Sequence, residues 1–417
     1  MDGLARRYLE VRRQTDGLAE PLSAEDCQAQ SMPDASPTKW HLAHTSWFFE
    51  TFVLPGPPLE PSFQYLFNSY YDAVGPRHPR PARGLLTRPS LDEVRRYRRR
   101  IDEAVLDYIE RGVEADVRAR IVLGLHHEQQ HQELILTDIK HLLGGHPDAP
   151  SYRRGSAPAP RARATGAPPL EWIARPGGIT EIGVAEPVAG GEPFAFDNES
   201  PRHQVLLRPH AVASRLVTCG EYRAFIDDGG YRRPELWLSD GWAEITAQHH
   251  DRPMYWRGQT IFTLDGERAL IDDEPVTHVS FYEADAFARW AGARLPTEME
   301  WEAAAAAQPI AAHDNLADSG AFHPRTLPAD SAGGSTGLHQ IYGDVWEWTA
   351  SAYAPYPGYR PAAGALGEYN GKFMCNQLVL RGGSCATPRS HIRASYRNFF
   401  PAGTRWQFSG IRLARDA

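Results

Sequence analysis

The sequence predicts an α+β protein of two domains, a helical bundle followed by a domain of short strands and loops. Three observations predict it. Apolar residues recur at helical spacing in four windows before residue 145. A stretch rich in Pro, Ala, Gly and Arg follows. Beyond it lies a half rich in Gly, Trp and short apolar runs. The 417 residues suffice for two cores, and 42% apolar content with 11 Trp, 17 Tyr and 16 Phe excludes a disordered chain.

In the first domain, residues 1–145, the helical windows run over roughly 2–18, 38–54, 91–113 and 118–143. Ser90 is placed to cap the third, with Glu93 as its capping-box partner. The fourth has no Pro between Arg118 and Leu143, and Leu123, Leu134, Ile135, Ile139 and Leu142 flank His127-Glu128-Gln129-Gln130-His131. His127 and His131 are four apart, so a helix puts both imidazoles on one face, where they can grip one metal ion. Most metal sites need a third ligand. His44 is the candidate, in Trp40-His41-Leu42-Ala43-His44, where His41 and His44 can share a face. Four helices with inward-facing His make a bundle with a metal site in its core. Such a His pair also arises from packing or capping alone. The string matches the zinc-hydrolase signature too, in which the Glu is a general base, but no glycine-spaced third His follows. Glu128 leaves the His face by the helical angle, so it reads as a hydrogen-bonding neighbour of the ligands or a surface charge.

Residues 146–169 read as a linker, and 170–417 as the second domain. The latter holds apolar runs such as Gln204–Leu207, two convincing helices near 219–227 and 281–292, long loops and no fixed repeat. The net charge of −8 disfavours nucleic-acid binding. Lysine occurs only at 39, 140 and 372, as a GC-rich codon bias would give. Cys27, Cys219, Cys375 and Cys385 form no CxxC pair, Arg6, Arg7, Arg12 and Arg13 precede no apolar signal core, and no apolar run has membrane-spanning length. A cytoplasmic protein with free thiols is expected, with no nucleic-acid or membrane partner; nothing fixes the oligomeric state.

Three strings in the second half, Gly343-Asp344-Val345-Trp346-Glu347-Trp348, Arg381-Gly382-Gly383-Ser384 and Phe408-Ser409-Gly410-Ile411-Arg412, resemble the formylglycine-generating-enzyme-like domain, a variant of the C-type lectin fold. Arg294-Leu295-Pro296-Thr297-Glu298-Met299-Glu300-Trp301-Glu302 is a further segment of that kind. The His pattern of the first half resembles a DinB-type four-helix bundle. Together they resemble the iron-dependent sulfoxide synthases of ergothioneine biosynthesis, which use O2 to join a thiol to C2 of the hercynine imidazole. The resemblance implies Fe(2+) on His44, His127 and His131, and hercynine, cysteine and O2 as substrates. The copper/cysteine chemistry of formylglycine-generating enzymes is not expected, because Ala386 to Asn398 contains no Cys and Cys385 has only Cys375 ten residues before it.

Three neutral His leave coordination positions open and the ion's charge uncompensated, which favours an anionic thiolate. The resemblance places Gln130 against the hercynine imidazole. In Phe67-Asn68-Ser69-Tyr70-Tyr71-Asp72 it implies a proton donor that steers the reaction towards C–S bond formation, Tyr70 and Tyr71 remaining equal candidates. In Arg77-His78-Pro79-Arg80-Pro81-Ala82-Arg83, Arg80 and Arg83 match the clamp for an amino-acid carboxylate, against the plainer reading of a solvated basic loop. Asn398, Phe399 and Phe400 fit a quaternary ammonium, held by aromatic faces and an amide oxygen. Some relatives have an Asp where Phe400 stands, which helps to bind γ-glutamylcysteine; Phe400 favours free cysteine. Alternatives within the class are a selenoneine synthase or an ovothiol-type synthase. Outside it stand a zinc-dependent DinB-type thiol transferase, which would act without O2, and a lectin-like binding module, which would bind no metal.

Overall fold

The computed structural model describes residues 3–153, 166–185, 193–328 and 337–417. Residues 154–165 of the expected linker lie outside the described residues. The chain divides into two compact units: Met1–Gly155 with Glu186–Asp197 and Arg360–Lys372, and Ser156–Ala185 with Asn198–Tyr359 and Phe373–Ala417.

The first unit contains α1 (Gly3–Ala19), α2 (Ala24–Gln28), α3 (Thr38–Phe52), α4 (Phe63–Leu66), α5 (Leu91–Glu110) and α6 (Ala115–Gly144). Helix α3 packs on α5 and α6, and α1 on α6 and α5. The α5 start is as expected: Ser90 Oγ accepts from the Glu93 N–H, and the Glu93 carboxylate accepts from the Ser90 N–H. Its buried residues Leu91, Val94, Tyr97, Ile101, Val105 and Ile109 recur every three or four positions and form one stripe. Helix α3 follows Pro37 and is buried on nearly every side, from Thr38 to Glu50, so its polar side chains must find partners inside the bundle. Gly124 lets α6 approach it closely, because a Cβ there would lie 2.6 Å from Phe49 Cε1.

Glu128 is buried and is no surface charge. Its carboxylate accepts from Arg12 (2.8 Å) and Arg98 (2.6 Å), tying α6 to α1 and α5. The two guanidiniums also reach Asp102 and Asp16, at 2.6 Å each. Hydrogen-bonded charges on both sides are what make such burial tolerable.

In the second unit a mixed sheet has the strand order Asn398–Phe400, Leu378–Arg381, Trp346–Ala352, Ser409–Gly410, the last pair parallel. A second sheet pairs His210–Ala213 with both Trp172–Arg175 and Ala414–Asp416, closing the two ends of the unit onto one strand. The helices are α7 (Cys219–Asp227), α8 (Ser239–Gln248), α9 (Phe281–Trp290) and α10 (Glu298–Ala305). The conspicuous strings of this half meet in its core. Glu347 accepts from Arg412 (2.8 Å) and from the Trp301 indole (2.7 Å), and Arg381 donates to Glu302 (2.8 Å) and Glu298 (3.1 Å). These residues hold a scaffold together.

Candidate metal centre

His44 on α3 and His127 and His131 on α6 are buried side by side. The Nε2 atom of His127 lies 3.2 Å from Nε2 of His44 and 3.0 Å from Nε2 of His131. For His44 and His131 the other ring nitrogen explains why Nε2 is a bare acceptor. His44 Nδ1 donates to the Phe67 carbonyl at 2.6 Å, leaving Nε2 without a proton in the neutral ring. His41 Nε2 lies 3.0 Å from Asp138 Oδ2 and must donate to it. His41 Nδ1 is then an acceptor, and His131 Nδ1, 2.8 Å away, donates to it. Burial keeps the rings uncharged, pushing His127 down to about 3 and the other two well below the ordinary imidazole value.

Lone pairs converging at this distance repel unless a cation or a shared proton lies between them. With metal–nitrogen bonds of about 2.1 Å, separations of 3.0 and 3.2 Å correspond to angles of about 90–100° at the ion. The three residues therefore fit a metal ion bound on one face. His127 Nδ1 is buried without a hydrogen-bond partner, so His127 is the one ring whose orientation no such bond fixes.

Aromatic rings enclose the cluster. Trp40 stacks on His44 at 4.5 Å and Trp47 lies 5.5 Å away, while Phe48 packs 4.5 Å from His127. Tyr71 packs among Trp47, Phe48 and Phe52 and lies 4.7 Å from Tyr70. Burial raises both phenols, so both carry their proton at neutral pH. Gln130 is half-buried and its Oε1 accepts from the Tyr369 hydroxyl. Tyr369 also meets His127 (5.6 Å), Tyr70 (6.2 Å) and Phe196 (5.5 Å, stacked).

Arg83 is buried, with its guanidinium carbon 3.3 Å from the Trp40 ring centre and Nη1 donating to Ser36 Oγ at 2.8 Å. At such distances the guanidinium and His44 take opposite faces of Trp40. Among the described residues no carboxylate pairs with Arg83, and its Nε has no partner. Arg80 is exposed.

Residues 158–417 match the sulfatase-modifying factor enzyme 1-like domain and residues 7–135 the DinB superfamily. The chain is 36% identical to the hercynine oxygenase of Mycolicibacterium thermoresistibile, over 99% of this chain and 94% of that one. This chain belongs to the hercynine oxygenase family. The hercynine oxygenase of Mycobacterium tuberculosis is 35% identical over 99% and 98% of the two chains. The formylglycine-generating enzyme of Streptomyces coelicolor, 31% identical, spans 64% of this chain and 96% of its own length. Membership of the hercynine oxygenase family makes the chain an oxygenase. No helix of its described residues is long and apolar enough to cross a membrane.

The hercynine oxygenase family pattern is thus carried by two units, and the expected site residues divide between them. His44, His127, His131, Gln130, Tyr70, Tyr71, Arg80 and Arg83 belong to the first. Asn398, Phe399 and Phe400 belong to the second, on the strand beside Leu378–Arg381. There Asn398 Oδ1 accepts from the Phe399 N–H (2.9 Å), Phe399 stacks on Tyr353 (4.0 Å), and Phe400 lies 6.4 Å from Trp406. Sequence reasoning missed Tyr369 and Phe196, which reach the first unit from far along the chain. It also missed that His41 is hydrogen-bonded to His131 and Asp138, although its spacing from His44 was visible.

Proposed function

We propose that this oxygenase of ergothioneine biosynthesis is a hercynylcysteine sulfoxide synthase that holds Fe(2+) on His44, His127 and His131. The reaction joins the sulfur of cysteine to C2 of the hercynine imidazole. It balances without an external reductant: thiol, imidazole C–H and O2 give the sulfoxide and one water. The observation that carries this reading is the convergence of three imidazole nitrogens in a chain similar, over nearly its whole length, to hercynine oxygenases. Iron bound there would supply the positive charge that lowers the thiol pKa and the redox chemistry that O2 requires.

The chain's own residues do the rest. Arg83, a buried guanidinium with no carboxylate partner, supports cysteine as the donor by offering its charge to the cysteine carboxylate, with Arg80 nearer solvent. Tyr369 holds Gln130 by hydrogen bond, which orients the amide towards the hercynine imidazole. Tyr70 and Tyr71 hold phenolic protons for the reacting oxygen, and the surrounding rings exclude water. Asn398, Phe399 and Phe400 would receive the trimethylammonium group, and Phe400 offers no carboxylate to a γ-glutamyl amine.

The test is mass spectrometry after anaerobic loading with Fe(2+), addition of hercynine, cysteine and γ-glutamylcysteine together, and admission of air. Hercynylcysteine sulfoxide as the product supports the reading, and its loss in His44→Ala supports the ligand set. A γ-glutamyl product would transfer the donor, and no coupled product from an iron-loaded sample would overturn the substrates.

A further inference from the structure

A chain of hydrogen bonds runs away from the metal cluster through residues to which no function has been assigned. The Ser36 N–H donates to Asp138 Oδ2 (2.8 Å), the same oxygen accepts from His41 Nε2 (3.0 Å), and His41 Nδ1 accepts from His131 Nδ1 (2.8 Å). His41 is 2% exposed and Asp138 7%, so water does not compete for these bonds. On the neighbouring helix, His44 uses a backbone carbonyl for the same purpose. His131 instead depends on a second imidazole, which itself has two tautomers. A neutral His41 accepts at Nδ1 only while its proton stays on Nε2, and the Asp138 carboxylate, an acceptor and never a donor when ionised, requires that.

We propose that His41 and Asp138 are positioning residues: the Asp138–His41 pair selects the His131 tautomer that presents Nε2 as a lone pair and fixes the plane of that ring towards the metal. The inference rests on His131 being a ligand. Carboxylate and imidazole partners of this sort raise ligand basicity, and their removal costs about 10–100-fold in metal affinity. Two features make the dependence strict here. His131 Nδ1 has no hydrogen-bond acceptor but His41 among the described residues, and His127 has no hydrogen bond at Nδ1 to stiffen the pair in compensation.

The test is titration of full-length apoprotein with Co(2+), by chelator competition for affinity and by visible absorption for ligand geometry. His41→Leu removes the acceptor, Asp138→Asn keeps the shape but not the charge, and His41→Asn restores an acceptor, Oδ1, near the place of Nδ1. Expected is a loss of about 10–100-fold for His41→Leu with altered Co(2+) bands, a smaller loss for Asp138→Asn, and recovery of the wild-type bands in His41→Asn. A general folding defect would not be reversed by the Asn. Wild-type affinity and bands in His41→Leu would overturn the proposal while leaving the metal site standing. If His41→Leu does not fold, Asp138→Asn decides: unchanged affinity and bands overturn the proposal. Absence of Co(2+) binding by the wild type would overturn both the site and the proposal.

Discussion

Substituting Gly124 by Ala should disturb the metal centre without touching a ligand. An added Cβ would meet Phe49 Cε1 at 2.6 Å and Phe48 Cε1 at 3.0 Å. Ordinary carbon contacts begin near about 3.5 Å, so α3 and α6 must separate by roughly 1 Å or the rings must turn. Overpacking of this kind costs about 1–3 kcal/mol, against roughly 1 kcal/mol gained from the better helix propensity of Ala. A net loss of up to about 2 kcal/mol is expected. The separation matters more for the ligands, because Phe48 lies against His127 while His44 sits on the same helix as both phenylalanines. Adding about 1 Å to the present 3.2 Å between the His44 and His127 nitrogens gives about 4.2 Å, which two bonds of about 2.1 Å span only when nearly in line. Metal affinity should fall at least about tenfold, or ~1.4 kcal/mol. The control is Gly17→Ala on α1, where a Cβ meets nothing within 4 Å. The same substitution there should stabilise by about 0.4–1 kcal/mol and leave the metal alone. Denaturant unfolding followed by helix ellipticity, with metal titration by chelator competition, reads both. If the two variants behave alike in both measurements, the close approach at Gly124 does not set the ligand spacing.

In the second unit, burial pushes Glu274 up, but His323 and Arg268 pull it down to about 2, from an ordinary value of 4.5. A depressed carboxyl contributes stability that is present above about pH 5 and lost as pH falls towards 2. At about 1.4 kcal/mol per unit this is ~3 kcal/mol. Glu274→Gln should lower Tm by about 6–12 °C at pH 7 and by much less near pH 3, in scanning calorimetry. Arg412→Leu leaves Glu347 charged and buried with only an indole donor, and should cost about 3–5 kcal/mol, visible as a lost or strongly shifted calorimetric transition. Arg83→Met removes a buried cation that no carboxylate balances, so stability should change by less than about 1 kcal/mol. In steady-state assays the same variant should raise KM for the thiol substrate at least about tenfold, with KM for the imidazole substrate little changed.

The bundle was legible because its signals are local. Helical spacing placed α1, α3, α5 and α6 within a few residues of their ends, and the Ser90–Glu93 pair marked the α5 start. The His127/His131 spacing is likewise written within one turn of helix. In the second unit α10 was missed, although Thr297 and Glu300 form the same capping box as Ser90 and Glu93. Helix α8 follows Leu238, which offers no side-chain cap, and so had no start signal. What no local pattern could reveal is pairing across long separations. His41 meets Asp138 97 positions later, and Gln130 meets Tyr369 across 239 positions. Glu128 illustrates the middle case: the helical angle turns it off the His face, but only Arg12 and Arg98 explain why a charge can be buried there.

The ring wall beside His127 has a consequence for how such proteins can be recombined. Phe196 and Tyr369 are encoded within the stretch that matches the formylglycine-type family, yet they group with the helices. Lys372 and Glu368 from the same stretch bind the Tyr70–Ala73 backbone. A gene fragment ending near residue 150 would encode all three imidazoles without this wall. A chimera joined at the linker would therefore exchange part of the surroundings of the His cluster along with the fold that follows it.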